Sequence, residues 1–423
     1  MNITLCRPSF AERVTAPTSK SAAHRVMIAA AFADAPTRIR VSGAGEDIAA
    51  TLRCLAALGA KIDESPAENG AQWLQITPIS RPVEGAILDC GESGSTLRFL
   101  VPVVAAMGAD ATFLRRGRLP QRPMEPLAGE LARHGVTLTD NADGSLSVNG
   151  RLPAGDYAIA ANVSSQFITG LLLALSLLEE PSTLTLTGEI ESAPYIDMTV
   201  NALAAFGARP VCKNGRVYRV QGRTAAPLRS PETVLPEGDF SGAAFPLAAG
   251  AVGCRPVTVT GLDLSSAQGD KQILSLLADF GAKVEISPQT GCVTVSPAPL
   301  HGITIDAKQI PDLVPILATV AATASGKTVI LGGARLRLKE SDRIATTAAM
   351  LRALGGTVTE TEDGLVIEGG ALTGGTVDGA NDHRIVMSAA IAALAASGPV
   401  TILGTGAEAK SYPDFFDLIC CTR

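Results

Sequence analysis

Aromatic side chains are scarce: 4% of 423 residues, with a single Trp. The interior must therefore be filled by Ala, Val, Leu and Ile. A chain this poor in rings, with a net charge of −6, is also a poor nucleic-acid binder, which needs basic and stacking surface. Long apolar runs are missing too. The longest, near 99–107 and 168–178, are about half of the roughly 20 residues a membrane-spanning helix needs. They read as buried core helices. The eight cysteines show no zinc-like spacing, and Cys420 and Cys421 are adjacent. Residues 1–14 are polar, without the apolar stretch of a secretion signal or the Arg/Ser-rich character of an import leader. All eight cysteines are expected as free thiols, and the protein as soluble and cytoplasmic, with no membrane or nucleic-acid partner.

What is present is a globular composition, 46% hydrophobic and 18% charged. The length suits two domains. Five segments share one pattern: 55–62 (LAALGAKI), 131–138 (LARHGVTL), 203–210 (LAAFGARP), 277–284 (LADFGAKV) and 351–358 (LRALGGTV). Each is an apolar helix end, a glycine and an extended stretch. Gly59, Gly135, Gly207, Gly281 and Gly355 recur at intervals of 72 to 76 residues, placed to supply a left-handed cap.

Between them lie six segments that open on small or polar residues and continue as apolar helices: 19–33, 92–107, 164–178, 239–252, 312–324 and 382–396. They are apolar nearly all round, which predicts burial. Short strands are expected after them, as at 183–186, 257–260 and 328–331. The unit is strand–helix–strand–helix–strand–strand over about 74 residues. Six units fit if the chain's two ends complete the sixth. Three units per domain is the natural division, with the switch in the proline-containing stretch 225–238.

The helix starts carry the chemistry. The first N–H groups of a helix lack partners and the macrodipole adds positive potential, so the end attracts anions. For any one helix taken alone, a polar start is read first as a cap. Here the clusters exceed a cap: Ser19-Lys20-Ser21 with His24-Arg25, Gly91-Glu92-Ser93-Gly94-Ser95 with Arg98, Ser164-Ser165-Gln166, and Asp382-His383-Arg384. Loops add Arg118 to Met124, Arg335 to Arg343 and Ala409 to Pro413. For Lys339 and Arg343, a solvated helix face with an i,i+4 pair remains the plain alternative.

Together with Arg122-Pro123-Met124, Lys339-Glu340-Ser341-Asp342-Arg343 and Lys410-Ser411-Tyr412-Pro413-Asp414, these motifs resemble, in order and over the whole chain, the 3-phosphoshikimate 1-carboxyvinyltransferase (EPSP synthase) family of enolpyruvyl transferases. The resemblance implies a two-domain inside-out α/β barrel, each domain three βαβαββ repeats with buried helices and outer sheets. Domain one is then 1–17 plus 236–423, and domain two 18–235. It implies a monomer without metal or organic cofactor. Its substrates are phosphoenolpyruvate and shikimate 3-phosphate, joined in a cleft that closes between the two halves.

Carried over residue by residue, the phosphoenolpyruvate side is Lys20, Gly94, Arg122, Gln166, Arg343, Arg384 and Lys410. The shikimate 3-phosphate side is Lys20, Ser21, Arg25, Ser164, Ser165, Gln166, Ser192, Asp312 and Lys339, with Tyr195 against the shikimate ring. Asp312 is expected as base toward the 5-hydroxyl, Pro311-Asp312 opening a buried helix; a simple N-cap is the alternative. Glu340 and Lys20 are the candidates for proton transfer at the methylene carbon. His383 either tunes Glu340 or is a core or cap histidine. Arg98 is expected to brace the Glu92–Ser95 loop.

Four positions depart from the family pattern: Thr18 in place of Gly, Glu92 of Asn, Ser95 of Thr, and Arg335 where some members have Asn. The sister family, UDP-N-acetylglucosamine 1-carboxyvinyltransferase, usually has a cysteine in the loop before the arginine matching Arg122; here 115–121 reads RRGRLPQ. A non-catalytic clamp on nucleic acid would need a basic lining repeated around the ring. This acidic chain has charges that differ between repeats.

Overall fold

The computed structural model describes residues 1–420 and divides into two compact units. One runs from Lys20 to Pro236. The other combines Met1–Ser19 with the chain from Glu237 onward. The sequence reading puts these crossovers two residues and one residue earlier.

In the Lys20–Pro236 unit the first repeat holds α1 (Lys20–Ala31), strand Thr37–Val41, α2 (Glu46–Ala57) and the hairpin Lys61–Pro66/Gln72–Thr77. The second is strand Ala86–Asp89, α3 (Gly94–Met107), strand Ala111–Leu114, α4 (Leu127–Arg133) and hairpin Thr137–Asp140/Leu146–Asn149. The third follows the same order through Asp156–Ala160, α5 (Ser165–Leu175), Ser182–Thr187, α6 (Ala193–Ala205), Val211–Lys213 and Val217–Val220. Each sheet starts with a parallel pair across the first helix and ends with the antiparallel hairpin. The opening strand of the first repeat comes from the unit's far end: Thr233–Val234 pairs parallel with Thr37–Val41.

The other unit repeats the scheme. Arg13–Thr15 pairs parallel with Val257–Thr260 across α7 (Phe240–Val252), followed by α8 (Ile273–Asp279) and hairpin Lys283–Ser287/Cys292–Ser296. Next come Thr304–Asp306, α9 (Val314–Thr323), Lys327–Leu331, α10 (Arg343–Ala353) and hairpin Thr357–Glu360/Leu365–Glu368. Last are Gly375–Asp378, α11 (His383–Ala392) and Val400–Leu403. The N-terminal strand Asn2–Leu5 pairs antiparallel with Val400–Leu403, so the sixth repeat is closed by the other end of the chain.

Local chemistry explains the pattern. The odd-numbered helices bury nearly every side chain. The even-numbered ones are sided: α2 buries Ile48, Ala50, Thr51, Cys54 and Leu55 and opens on Glu46 and Asp47, acids that suit a helix N-terminus. Strands alternate. Thr37, Ile39 and Val41 point inward while Arg38 and Arg40 face out. Gly59, Gly135, Gly207, Gly281 and Gly355 all have positive φ, 83° to 111°, as the cap requires.

The packing of α5 on α3 also depends on glycine. A Cβ on Gly170 in α5 would lie 2.3 Å from the Arg98 carbonyl oxygen and 2.8 Å from Pro102 Cγ. Pro102 lies inside α3 and has no N–H, so it cannot bond the carbonyl four residues back, which is that of Arg98.

One cluster of the few aromatics gathers at Phe415. Phe10, Phe245, Tyr412 and Phe416 surround Phe415 with ring centroids 5.5 to 6.2 Å away, anchoring the segment that carries Lys410. Cys6, Cys54, Cys90, Cys212, Cys254, Cys292 and Cys420 are free thiols; Cys421 lies outside the described residues. No helix among the described residues is long and apolar enough to cross a membrane.

Candidate active site

In the Lys20–Pro236 unit, the N-terminal ends of α1, α3 and α5 carry the polar clusters. Lys20 is the first residue of α1, and its Nζ lies 2.9 Å from Asp47 Oδ2 at the start of α2. A lysine at a helix start opposes the dipole, and Asp47 offsets that. Ser21 follows, its carbonyl accepting from Arg25 Nη1 at 2.6 Å.

Arg25 is 2% exposed. It also donates to Thr199 Oγ1 (2.9 Å), Thr169 Oγ1 (3.0 Å) and the Tyr195 carbonyl (2.9 Å). Four of its five N–H donors are thus engaged inside the protein. Burial lowers its pKa to about 10, and its guanidinium sits 5.1 Å from the Phe99 ring centroid.

Ser93 caps α3, accepting from Thr96 N. A Cβ on Gly94 would be 2.5 Å from Arg122 Nη1, so glycine is what lets that guanidinium reach the helix start. Ser164 caps α5, with Ser165 and Gln166 as its first two residues. Gln166 is fixed at both ends: Oε1 accepts from Arg98 Nη1 (2.8 Å) and Nε2 donates to Ser95 Oγ (2.9 Å). Arg98 also donates to the Pro123 carbonyl (3.0 Å). It therefore joins the α3 start, the α5 start and the Arg122 segment. Ser192, with φ 54°, precedes α6, which carries Tyr195.

In the other unit, Asp312 lies in the first turn of the helical run that continues as α9, and that turn is 3₁₀. Pro311–Leu313 forms a 3₁₀ turn, and α9 starts at Val314 with Pro315 at its first turn. The N-cap positions are Ile310 and Leu313, and the carboxylate of Asp312 is turned to cations. Oδ1 accepts from Arg343 Nη1 (2.8 Å) and Lys339 Nζ (3.4 Å), and Oδ2 from Arg384 Nη2 (3.2 Å). Arg384 Nη1 also donates to the Asp312 carbonyl at 3.0 Å.

Lys339 precedes α10, whose cap is Asp342, so a shared helix face with Arg343 is ruled out. Burial lowers the Lys339 pKa to about 8, against the pull of Asp312, while its side chain stays 24% exposed. Arg343, 1% exposed, binds Glu340 Oε2 through Nη2 (2.6 Å) and Asp382 Oδ2 through Nε (2.8 Å). Burial works against its charge, but Asp382, Glu340 and Asp312 outweigh it and raise its pKa.

His383 is the first residue of α11, 2% exposed, with Nδ1 3.9 Å from Asp382 Oδ1. Lys410 is 5% exposed and donates to the Asn381 carbonyl at 2.7 Å. Among the described residues, no group of three or more His, Cys, Asp or Glu is placed to hold a metal.

Two carboxylates, Asp47 and Asp270, were missed in the sequence, and a third, Asp382, was given no role beyond a helix start. Asp47 pairs with Lys20 across 27 residues; the acidic first turn of α2 was its one visible sign. Asp382 was read as a helix start, yet it caps α11 through Arg384 N and holds both Arg343 and the Ser341 hydroxyl. Asp270, 2% exposed, takes the Ser241 hydroxyl on Oδ2. Burial and Asp312 raise its pKa to about 7, with Arg384 and Ser241 pulling down.

The departures are accommodated. Thr18 bridges Gly238 without a positive φ. The Glu92 carboxyl lies so close over Gly117 that a Cβ there would be 2.6 Å from it. Ser95 holds Gln166, and Arg335 Nη2 donates to the Lys308 carbonyl at 2.7 Å.

Six repeats of βαβαββ type, three to a unit, the last shortened to one α-helix and a three-stranded sheet, present buried helices with polar N-termini and define the enolpyruvyl-transferase fold. An enolpyruvyl transferase from Streptomyces tendae, NikO, superposes with a TM-score of 0.77 over 98% of this chain and 95% of its own, at 21% identity. The chain belongs to the EPSP synthase (3-phosphoshikimate 1-carboxyvinyltransferase) family, whose model matches residues 8–419. A 3-phosphoshikimate 1-carboxyvinyltransferase of Clostridium novyi is 37% identical over 98% of this chain and 96% of its own length. The EPSP synthase of Acinetobacter baumannii superposes with a TM-score of 0.80 at 28% identity, covering 99% of this chain and 97% of that one.

Proposed function

We propose that this enzyme transfers the enolpyruvyl group of phosphoenolpyruvate to the 5-hydroxyl of shikimate 3-phosphate, releasing phosphate and 5-enolpyruvylshikimate 3-phosphate in the cytoplasm. The observation that carries the reading is the pinning of Asp312 and Glu340 on one guanidinium, Arg343, at 2.8 and 2.6 Å. The reaction needs two such groups. The 5-hydroxyl adds to C2 while C3 gains a proton; the tetrahedral intermediate then loses phosphate and a C3 proton. One group takes the hydroxyl proton and another serves the carbon.

Asp312 is the base toward the hydroxyl. Glu340, tuned by His383, and Lys20 carry protons at the methylene carbon. In the unit from Glu237 onward, Arg343, Arg384 and Lys410 bind phosphoenolpyruvate, and Lys339 and Asp312 bind shikimate 3-phosphate. In the Lys20–Pro236 unit, Lys20, Gly94, Arg122 and Gln166 serve phosphoenolpyruvate. Lys20, Ser21, Ser164, Ser165, Gln166 and Ser192 serve shikimate 3-phosphate, with Tyr195 against its ring. Arg25 contributes its one remaining Nη1 hydrogen from beneath. Such fixed cations stabilise the charge that develops on the departing phosphate.

The test is phosphate release from phosphoenolpyruvate with shikimate 3-phosphate or UDP-N-acetylglucosamine as acceptor. Release with shikimate 3-phosphate alone is expected. Release with the sugar nucleotide alone would overturn the acceptor assignment, which rests on the likeness to 3-phosphoshikimate 1-carboxyvinyltransferases.

A further inference from the structure

A buried polar chain runs through the Lys20–Pro236 unit below the binding residues. His24 Nδ1 lies 2.7 Å from Thr51 Oγ1, Thr51 Oγ1 lies 2.7 Å from Thr96 Oγ1, and Thr96 Oγ1 lies 2.8 Å from Ser93 Oγ. It crosses from α1 through α2 to the first turn of α3. His24, Thr51 and Thr96 are 0% exposed and Ser93 is 1% exposed. Valine at 51 or 96 would fill the same space, so the hydroxyls are there for what they bond.

The hydrogens can be assigned in one direction. Thr96 is the donor both to Ser93 Oγ and, at 3.4 Å, to the Asp47 carbonyl. Its single hydroxyl hydrogen is therefore committed away from Thr51. The Thr51–Thr96 contact then uses the hydrogen of Thr51, and the His24–Thr51 contact must use a hydrogen on His24 Nδ1. His24 is neutral, because burial, then Lys20 and Arg25, lower its pKa. With the proton on Nδ1, Nε2 is a bare lone pair. Nε2 is buried without a hydrogen-bond partner among the described residues and is unsatisfied in either tautomer, so the hydroxyl chain alone sets the direction.

The chain ends on the cap. Ser93 Oγ accepts from Thr96 Oγ1 and, at 3.2 Å, from Thr96 N, so its rotamer is held from two sides. The next residue is Gly94, where Arg122 Nη1 comes within 2.5 Å of a would-be Cβ. The Asp47 carbonyl that Thr96 also reaches belongs to the residue whose carboxylate holds Lys20.

We infer that Thr51 is a positioning residue at the centre of a one-way hydrogen-bond chain, His24 to Thr51 to Thr96 to Ser93, that sets the first turn of α3 for phosphoenolpyruvate. The inference rests on the reading of Gly94 and Arg122 as phosphoenolpyruvate contacts. Thr51→Val keeps the shape and removes the hydroxyl; Thr51→Ser keeps the hydroxyl. The valine variant is expected to raise the KM for phosphoenolpyruvate roughly tenfold, leaving kcat and the KM for shikimate 3-phosphate within about twofold. The serine variant is expected to match the wild type.

Nitrogen-15 NMR of wild-type His24 at neutral pH supplies a readout independent of turnover and of any variant's folding. The Nδ1-protonated neutral tautomer is expected. An Nε2-protonated ring, a valine variant with unchanged KM, or a serine variant as impaired as valine would each overturn the chain. A wild type without turnover would instead overturn the functional reading and leave the tautomer to decide the chain on its own.

Discussion

Arg343 Nε lies 2.8 Å from Asp382 Oδ2, and the two side chains are 1% and 0% exposed. This is a buried ion pair, and breaking one partner of such a pair is far costlier than the pair's net worth. The other two contacts of Arg343, to Asp312 and Glu340, are to groups proposed to do chemistry. Asp382 is therefore the anchor that lets Arg343 stay still while those carboxylates change protonation.

Asp382→Asn tests this. Asparagine caps a helix as well as aspartate, so α11 should keep its start. Arg343 loses a full charge partner while remaining buried. We expect a destabilisation of about 3 kcal/mol, read as a lower Tm, together with a KM for phosphoenolpyruvate raised roughly tenfold. An unchanged Tm would mean that Glu340 and Asp312 suffice to hold Arg343.

Lys339 gives a pH prediction. Its pKa is lowered to about 8 by burial, so the cation is present below that pH and lost above it. Since kcat/KM reports the free enzyme, kcat/KM for shikimate 3-phosphate should fall as pH rises through about 8. Lys339→Arg stays charged across this range, and its profile should lack that limb even if its overall rate is lower. Stability moves the other way. A lysine whose folded pKa lies below its unfolded value of 10.5 binds fewer protons when folded, so its contribution rises between about 8 and 10.5. A persistent alkaline limb in the arginine variant would assign it to another group.

Much of this architecture was legible because it is periodic. Five glycines at regular intervals marked helix ends whose φ values are all positive, and the apolar segments after polar starts became the six buried helices. The motif residues stood out because helix N-termini gather donors. Side-chain pairings across the fold were not legible. Nothing local connects Lys20 to Asp47 or Arg98 to Gln166, 27 and 68 residues apart. Asp312 does stand where the helical run begins, but Pro311 and Pro315 flank it and the first turn is 3₁₀, continuing directly into α9, a detail the sequence did not show.

Gly170 yields a stability prediction away from the site. A methyl there meets the Arg98 carbonyl at 2.3 Å, inside any van der Waals contact, so α5 would have to move from α3. Alanine is intrinsically the better helix former by about 1 kcal/mol, but overpacking of this kind costs roughly 1–3 kcal/mol. Because Arg98 also holds Gln166, Gly170→Ala should lower Tm and raise the KM for phosphoenolpyruvate together. A higher Tm would show that the two helices are free to separate.

Asp312→Asn tests the base assignment. The variant keeps the shape; its one amide oxygen can still accept from Arg343, and Arg384 keeps its bond to the backbone carbonyl of residue 312, so the expected fold is unchanged by circular dichroism. An amide cannot take the 5-hydroxyl proton, and kcat should fall on the order of 10²- to 10⁴-fold, the usual contribution of general acid–base catalysis. The substrate KM values separate the roles. Shikimate 3-phosphate binding should change modestly, since Lys339 keeps its charge, while the rate collapses. If kcat stays within a few-fold of wild type, the hydroxyl proton leaves by another route, and Glu340, held 2.6 Å from the same Arg343, becomes the carboxylate to replace next.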